Sequence, residues 1–168
     1  MISMQLYDPA EITPEQHYRT AIHKVGHTAA IMVLNPRQVP ERISIRNQAS
    51  SYGRVILSRS MTEQTEEYLL LNIAILLSGK NAERLLLGSH SVGCADDYAR
   101  AKQLAKDMVE KFAMTTYGTT PAEILNAAEE TSCAIIRGRE EKLKRITQIL
   151  LEKKELTGED FKALFYPE

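Results

Sequence analysis

The segment TAIHKVGH, residues 20–27, contains the most informative pattern in the chain. His23 and His27 are four residues apart, so on an α-helix both side chains project from one face. Two histidines at this spacing can reach a single metal ion, and zinc is the usual ion for such a pair. The spacing therefore indicates a candidate zinc site, and the alternative is a buried polar cluster that binds no metal.

The residue after the first histidine departs from the zinc peptidase pattern. In the HExxH pattern a glutamate at this position activates the metal-bound water and transfers its proton. Lys24 stands there in this chain. An ammonium group cannot accept that proton, and its charge is unfavourable beside a dication. Two orientations remain open, because Lys24 can point to solvent or place its amine at the position of the water.

The two histidines lie in a predicted helix that ends at about Leu34. Thr13 is the expected N-cap, Pro14 fits the first helical position, and Gln16 can complete a capping box. The Asn-Pro pair at residues 35–36 stops the helix. Apolar residues lie on two nearly opposite faces, which predicts that other elements pack on both sides of this helix.

The rest of the chain predicts a mainly α fold with a small two- or three-stranded β element. Alternating residues predict short strands at 42–46 and 54–58. Helical spacing dominates from residue 62 onwards, with an interruption expected at Gly79 and a kink or break expected at Gly138. The predicted helical stretches are 62–78, 81–87, 95–112, 120–151 with the break at Gly138, and 158–165.

Composition excludes several classes of protein. The chain has 168 residues, of which 43% are hydrophobic, so it is ordered and long enough for a core. Its net charge is −1, which argues against a nucleic-acid partner. Cys94 and Cys133 form no disulfide framework, so we expect a soluble protein in a reducing, cytoplasmic setting. The uncharged run at residues 68–79 is too short to span a bilayer, and no signal peptide is visible.

Six segments of the chain, in the same order, resemble the zinc peptidase domain of the membrane-anchored, ATP-dependent FtsH proteases. The resemblance extends over roughly residues 18–165. The first segment resembles the family's HEAGH helix, the third its LGGRAAEEL helix and the fourth its TTGASND segment. The six are TAIHKVGH (20–27), YGRVIL (52–57), LSGKNAERL (77–85), SVGCADD (91–97), MVEKFAM (108–114) and LLEKKELTG (150–158).

The resemblance implies roles for individual residues. His23 and His27 match the two histidine ligands of zinc, and Asp97 matches the aspartate that supplies the third ligand. Glu83 matches a buried glutamate, which would orient a ligand histidine. Five residues match the edge strand of the family, along which a substrate peptide can add by backbone hydrogen bonds. They are Gly53, Arg54, Val55, Ile56 and Leu57.

The departures from the family pattern limit what the resemblance implies. Lys24 replaces the catalytic glutamate, Arg84 replaces the second glutamate of AEE, and Ala113 replaces the glycine before Met114. The phosphate-binding pattern GxxxxGK[ST] is missing, so we expect no AAA ATPase module. We predict a single FtsH-type peptidase-like domain over residues 1–168, with a core at about 13–114 and a C-terminal helical part at about 120–168.

The leading hypothesis is a zinc peptidase domain with little or no activity, which serves as a peptide-binding or regulatory subunit. Unfolded polypeptide would be its ligand, and it would assemble with itself or with FtsH-type subunits, since family members form hexameric rings. Membrane association would come only through other regions or partners. Two alternatives stay open: an active peptidase that uses Glu83 or Asp96 as its base, and a metal-free helical interaction scaffold.

Overall fold

The computed structural model describes residues 12–46 and 64–167. Within these ranges the chain has six α-helices and two short strands, which confirms the mainly α fold with a small β element. The elements are α1 (Pro14–Leu34), β1 (Arg42–Ser44), α2 (Glu66–Leu87), α3 (Ala95–Glu110), α4 (Pro121–Arg137), α5 (Glu140–Lys153), β2 (Glu155–Thr157) and α6 (Gly158–Phe165).

Capping boxes determine where three of the helices begin. At the start of α1 the backbone N–H of Gln16 donates to Thr13 Oγ1, and the N–H of Thr13 donates to Gln16 Oε1. The same reciprocal pair forms at the start of α4 and of α6. Because each box satisfies two helix N–H groups that would otherwise be unpaired, the predicted helix starts are confirmed.

Helix α2 differs from the prediction in its start, which lies at Glu66 and not at residue 62, and in its continuity. The interruption expected at Gly79 is wrong, because α2 is continuous from Glu66 to Leu87 and ends at Gly88, whose φ is 82°. A glycine inside a helix costs only about 1 kcal/mol relative to alanine, and the burial of apolar residues on both sides of Gly79 outweighs that cost. The break at Gly138 is confirmed, since α4 ends at Arg137.

The small sheet joins the segment after α1 to the segment between α5 and α6. Strand β1 pairs antiparallel with β2, with Ile43 opposite Leu156 in the register. Both of these side chains are buried in the core. The strand β2 was not predicted, and the strand predicted at residues 54–58 lies outside the described residues.

Helix α1 lies at the centre of the fold, as its two apolar faces predicted. Residues 21–32 are all buried. One apolar cluster joins α1 to α2, α3 and α4, and a second joins it to the sheet, α5 and α6. The helix therefore has core on both sides, and polar side chains on its buried length are removed from water.

Helices α1 and α2 approach closely at Gly26. A Cβ atom on Gly26 would lie 2.4 Å from the Cβ of Ala82 and 2.7 Å from the carbonyl oxygen of Ser78. Glycine therefore allows the two helices to cross at a short distance. This crossing brings the histidines of α1 against Gly79 and Glu83 of α2.

Candidate metal centre

Three side chains from two helices converge at one point beside the α1–α2 crossing. The Nε2 atoms of His23 and His27 are 3.0 Å apart. Asp97, in the first turn of α3, places Oδ2 at 3.0 Å from His27 Nε2 and 3.4 Å from His23 Nε2. All three residues are buried. Among the described residues, these three form the group that lies close enough to hold a metal ion.

The separations fit a small tetrahedral ion. Ligand atoms that lie about 2.0–2.2 Å from a tetrahedral zinc are separated from one another by about 3.3 Å. The three observed separations run from 3.0 to 3.4 Å. The two histidines and Asp97 are thus close to the positions that one zinc ion requires.

The hydrogen bonds of the two rings also favour a cation between them. His27 Nδ1 lies 2.8 Å from the carbonyl oxygen of Ile75, which can only accept, so Nδ1 carries the proton. His23 Nδ1 lies 2.7 Å from Glu83 Oε1 and donates to it. With Nδ1 as the donor, a ring that carries a single proton presents the lone pair of Nε2 to the other ring and to Asp97. Atoms of this kind repel one another at such short distances unless a proton or a metal ion lies between them.

Glu83 is the buried carboxylate that orients His23. It accepts hydrogen bonds from His23, from the guanidinium of Arg19 at 3.0 Å and from the backbone N–H of Ser91 at 2.8 Å. Burial tends to raise the pKa of Glu83, but these three donors outweigh burial and lower it to about 2. The carboxylate is therefore ionised near neutral pH. The sequence indicated Glu83, but no pattern in it indicated Arg19 or Ser91.

The ligand residues shift the pKa values of one another. Burial tends to lower the pKa of His23, but its hydrogen bonds to Asp97 and Glu83 outweigh burial and raise it. Burial tends to raise the pKa of Asp97, but the bonds from His23 and His27 hold it well below its usual range. The first turn of a helix also favours an anion. Asp97 is thus a carboxylate that faces the two rings.

Gly79 makes room for the ligand atoms. A Cβ atom at this position would lie 2.4 Å from His27 Nε2 and 2.5 Å from His23 Nε2. Any side chain there would occupy the space where the ligand atoms converge. In the sequence Gly79 is only part of a motif and a predicted helix interruption, because the requirement for glycine comes from α1, more than fifty residues earlier.

Lys24 is buried and bonded to the sheet. The residue is 8% exposed, so the orientation towards solvent is wrong. Its Nζ donates a hydrogen bond to the carbonyl oxygen of Ser44 in β1. Burial lowers the pKa of the Lys24 ammonium. The side chain directly after His23 thus connects α1 to β1.

The other residues considered near the site have different surroundings. Cys94 is buried, burial raises the pKa of its thiol, and it is outside the group that can hold a metal among the described residues. Asp96 is exposed. The predicted peptide-binding strand at residues 53–57 lies outside the part of the chain that the structure describes. In residues 12–46 and 64–167, no helix has the length and apolar character required to cross a bilayer.

Comparison with known proteins agrees with this geometry. The model of the family described as Peptidase family M41 matches residues 10–122, which contain His23, His27, Glu83 and Asp97. The chain belongs to peptidase family M41. The predicted resemblance to FtsH-type peptidases is therefore confirmed.

Several named relatives are ATP-dependent zinc metalloproteases FtsH. The protein from Caldicellulosiruptor bescii is 27% identical over 92% of this M41 chain and 31% of its own length. The protein from Hahella chejuensis is 36% identical over 62% of this chain and 17% of its own. FtsH 2 from Symbiobacterium thermophilum is 30% identical over 75% of this chain and 23% of its own length. The chain thus spans about a third or less of the length of these relatives.

Proposed function

We propose that this M41 chain is a zinc-binding peptidase domain whose hydrolytic activity is impaired. His23, His27 and Asp97 would hold the ion. The convergence of their three ligand atoms, at separations of 3.0 to 3.4 Å, is the observation that supports this assignment most directly. The relatives named above are called zinc metalloproteases, which favours zinc over other divalent ions.

The residues around the ligands would prepare the site for zinc. Glu83 and the carbonyl of Ile75 each accept a hydrogen bond from Nδ1 of a histidine, so Nε2 of each ring faces the other ring and Asp97. Asp97 adds a negative charge that partly neutralises a dication. When bound, zinc polarises a peptide carbonyl and lowers the pKa of a bound water. Peptide hydrolysis then still requires a group that accepts the proton of that water.

Lys24 occupies the position of that proton acceptor in the HExxH pattern, and this supports impaired hydrolysis. A protonated amine has no free electron pair, and the Lys24 amine already donates to Ser44. Removing a general base lowers reaction rates by about 10²- to 10⁴-fold. We therefore infer residual activity at most.

The two substitute bases considered from the sequence are poorly suited. Glu83 already accepts from His23, Arg19 and Ser91, and its pKa of about 2 is far from neutrality. An efficient base has a pKa near the working pH. Asp96 is exposed, unlike the buried ligands. These observations favour an impaired peptidase over one that uses another base.

For the biological role we propose a peptide-binding or regulatory subunit. An unfolded polypeptide would add along residues 53–57, and residues 1–168 would act as a single domain. Assembly with itself or with FtsH-type subunits is part of this proposal, since such relatives supply the ATP-dependent activity that their names state.

The first test is the zinc content of the chain purified without added metal, measured by mass spectrometry. We expect about one zinc per chain, and its loss in His23→Ala and in Asp97→Asn. His17→Ala is the matched control, because it removes another histidine from α1 outside the ligand group. Circular dichroism would show that each variant is folded. A folded wild-type protein that binds no zinc even after zinc is added would overturn the proposal and leave the scaffold hypothesis.

A further inference from the structure

The carboxylate of Glu83 is itself held by hydrogen bonds that the family resemblance did not indicate. Glu83 is 1% exposed. A buried carboxylate is costly unless it is paired with a charge and its oxygens are hydrogen-bonded. One oxygen accepts from His23, and the other accepts from Arg19 and from the N–H of Ser91. Arg19 is therefore the permanently charged partner of the group that orients His23.

Arg19 also holds the segment that leads to Asp97. It lies one helical turn before His23, so both side chains project from one face of α1. Its Nη1 donates to Glu83 Oε2 at 3.0 Å and to the carbonyl oxygen of Ser89 at 2.6 Å, and its Nη2 donates to Ser89 Oγ at 3.3 Å. Ser89 lies between the end of α2 and the start of α3.

We propose that Arg19 is a positioning residue for the metal centre, which fixes both the Glu83 carboxylate behind His23 and the segment 88–94 before Asp97. This inference rests on the proposed zinc site. Arg19 acts on one ligand through Glu83 and on another through the connection between α2 and α3. A single guanidinium thus links two of the three ligands, which come from different helices.

The geometry requires arginine rather than another cation. The guanidinium is planar, is always charged and offers several N–H groups in fixed directions, so it can bond a carboxylate and a carbonyl together. A lysine amine is a point charge with different reach. We therefore expect Arg19→Lys to restore part of what Arg19→Gln loses.

The test compares zinc affinity, by competition with a chelator, in the wild type, Arg19→Gln and Arg19→Lys. Loss of a group that supports a metal ligand weakens binding by about 10- to 100-fold, and we expect this range for Arg19→Gln and a smaller loss for Arg19→Lys. The control is Arg42→Gln, which breaks an ion pair with Glu155 on the sheet, where the Arg42 side chain is 72% exposed. It should bind zinc as the wild type does.

Two further measurements distinguish positioning from general destabilisation. Cobalt substituted for zinc should give a changed visible absorption spectrum in Arg19→Gln, since the spectrum reports ligand geometry. The double variant Arg19→Gln/Glu83→Gln should lose less zinc affinity than the two single losses combined, because one of the two routes by which Arg19 acts passes through Glu83. An unchanged affinity and cobalt spectrum in Arg19→Gln would overturn the proposal.

A metal-free measurement keeps this inference separate from the proposed function. If the wild type binds no zinc, the proposed function fails, but hydrogen exchange of the metal-free protein still tests Arg19. We expect faster exchange at the amide of Ser91 in Arg19→Gln, since that N–H donates to the carboxylate that Arg19 holds. Unchanged exchange across residues 88–94 would overturn the positioning role in the metal-free protein as well.

Discussion

Gly79 lies against His27 so closely that a single added carbon would meet the ring: a Cβ atom at position 79 would be 2.4 Å from His27 Nε2. The contact is with Nε2, the atom that would bind the metal, and not with the far side of the imidazole. The backbone of α2 therefore forms one wall of the space where the ligands converge. The size of residue 79 controls whether both histidines can face the same ion.

We therefore expect Gly79→Ala to abolish or strongly weaken zinc binding. The new methyl group would push one or both rings away from the position shared with Asp97, while α2 stays helical because alanine favours helix. Zinc per chain and helical content by circular dichroism would be measured together. Gly138→Ala is the control, because its Cβ would meet only the carbonyl oxygen of Ala134 at an ordinary 3.4 Å. Wild-type zinc content in folded Gly79→Ala would contradict the steric argument.

Lys24→Glu should increase peptide hydrolysis by the zinc-loaded chain. It places a carboxylate where the HExxH pattern has its proton acceptor, and a general base accounts for about 10²- to 10⁴-fold in rate. The assay is the cleavage of a labelled, unfolded protein. Lys24→Gln is the matched control, because it removes the charge and supplies no base. Equal activity in the wild type and Lys24→Glu, at an appreciable rate, would show that the chain already has a working base.

The same substitution should lower the stability of the fold. Lys24 donates to the carbonyl oxygen of Ser44, and neither a carboxylate nor that carbonyl can donate to the other. Thermal unfolding of the metal-free protein would measure the effect. We expect a lower midpoint for Lys24→Glu than for Lys24→Gln, whose amide can still donate to Ser44. The reverse order would argue against the Lys24–Ser44 bond.

Glu83→Gln should weaken zinc binding while leaving the protein folded. The neutral amide no longer attracts the N–H of His23 as a carboxylate does, and changes at such supporting groups cost about 10- to 100-fold in metal affinity. The measurement is zinc competition with a chelator. Glu129→Gln is the control, since Glu129 also pairs with cations, Lys80 and Arg84, but is outside the ligand group. Equal affinities in the two variants would contradict the role of Glu83.

Ser132→Ala should destabilise the contact between α2 and α4. The Ser132 hydroxyl accepts from the side-chain amide of Asn81 at 3.0 Å and lies 3.0 Å from the Ser78 hydroxyl, and all three residues are buried. Leaving a buried donor without a partner costs about 1–3 kcal/mol. Denaturant unfolding would measure the loss. Thr131→Ala should cost less, because its hydroxyl donates only to Ala127 one turn earlier in the same helix.

Much of the fold follows from local signals. Several helix ends depend only on residues near one another in the chain, so they could be predicted. They are the Thr-Pro starts at residues 13–14 and 120–121, the break at Gly138 and the end of α2 at Gly88. The continuity of α2 through Gly79 could not be predicted in this way, since it depends on burial against other helices. The strand β2 escaped prediction because three residues give no reliable periodicity.

The residues of the candidate site could be predicted only in part from the sequence. Spacing alone indicated His23 and His27, whereas Asp97 and Glu83 required the resemblance to a family. Arg19, Ser91 and the role of Gly79 depend on how α1 crosses α2, and no local pattern reports that crossing. The only sequence signal for the role of Arg19 is its position, one helical turn before His23.

The pairing of β1 with β2 has a consequence for the order in which the chain folds. The three candidate ligands are complete once residue 97 has been synthesised, but the partner of β1 emerges only at residues 155–157. Contacts between segments so distant in the chain form slowly, because a long loop must close first. We therefore expect the three ligands to gather during synthesis before the strand that holds Lys24 is locked in place.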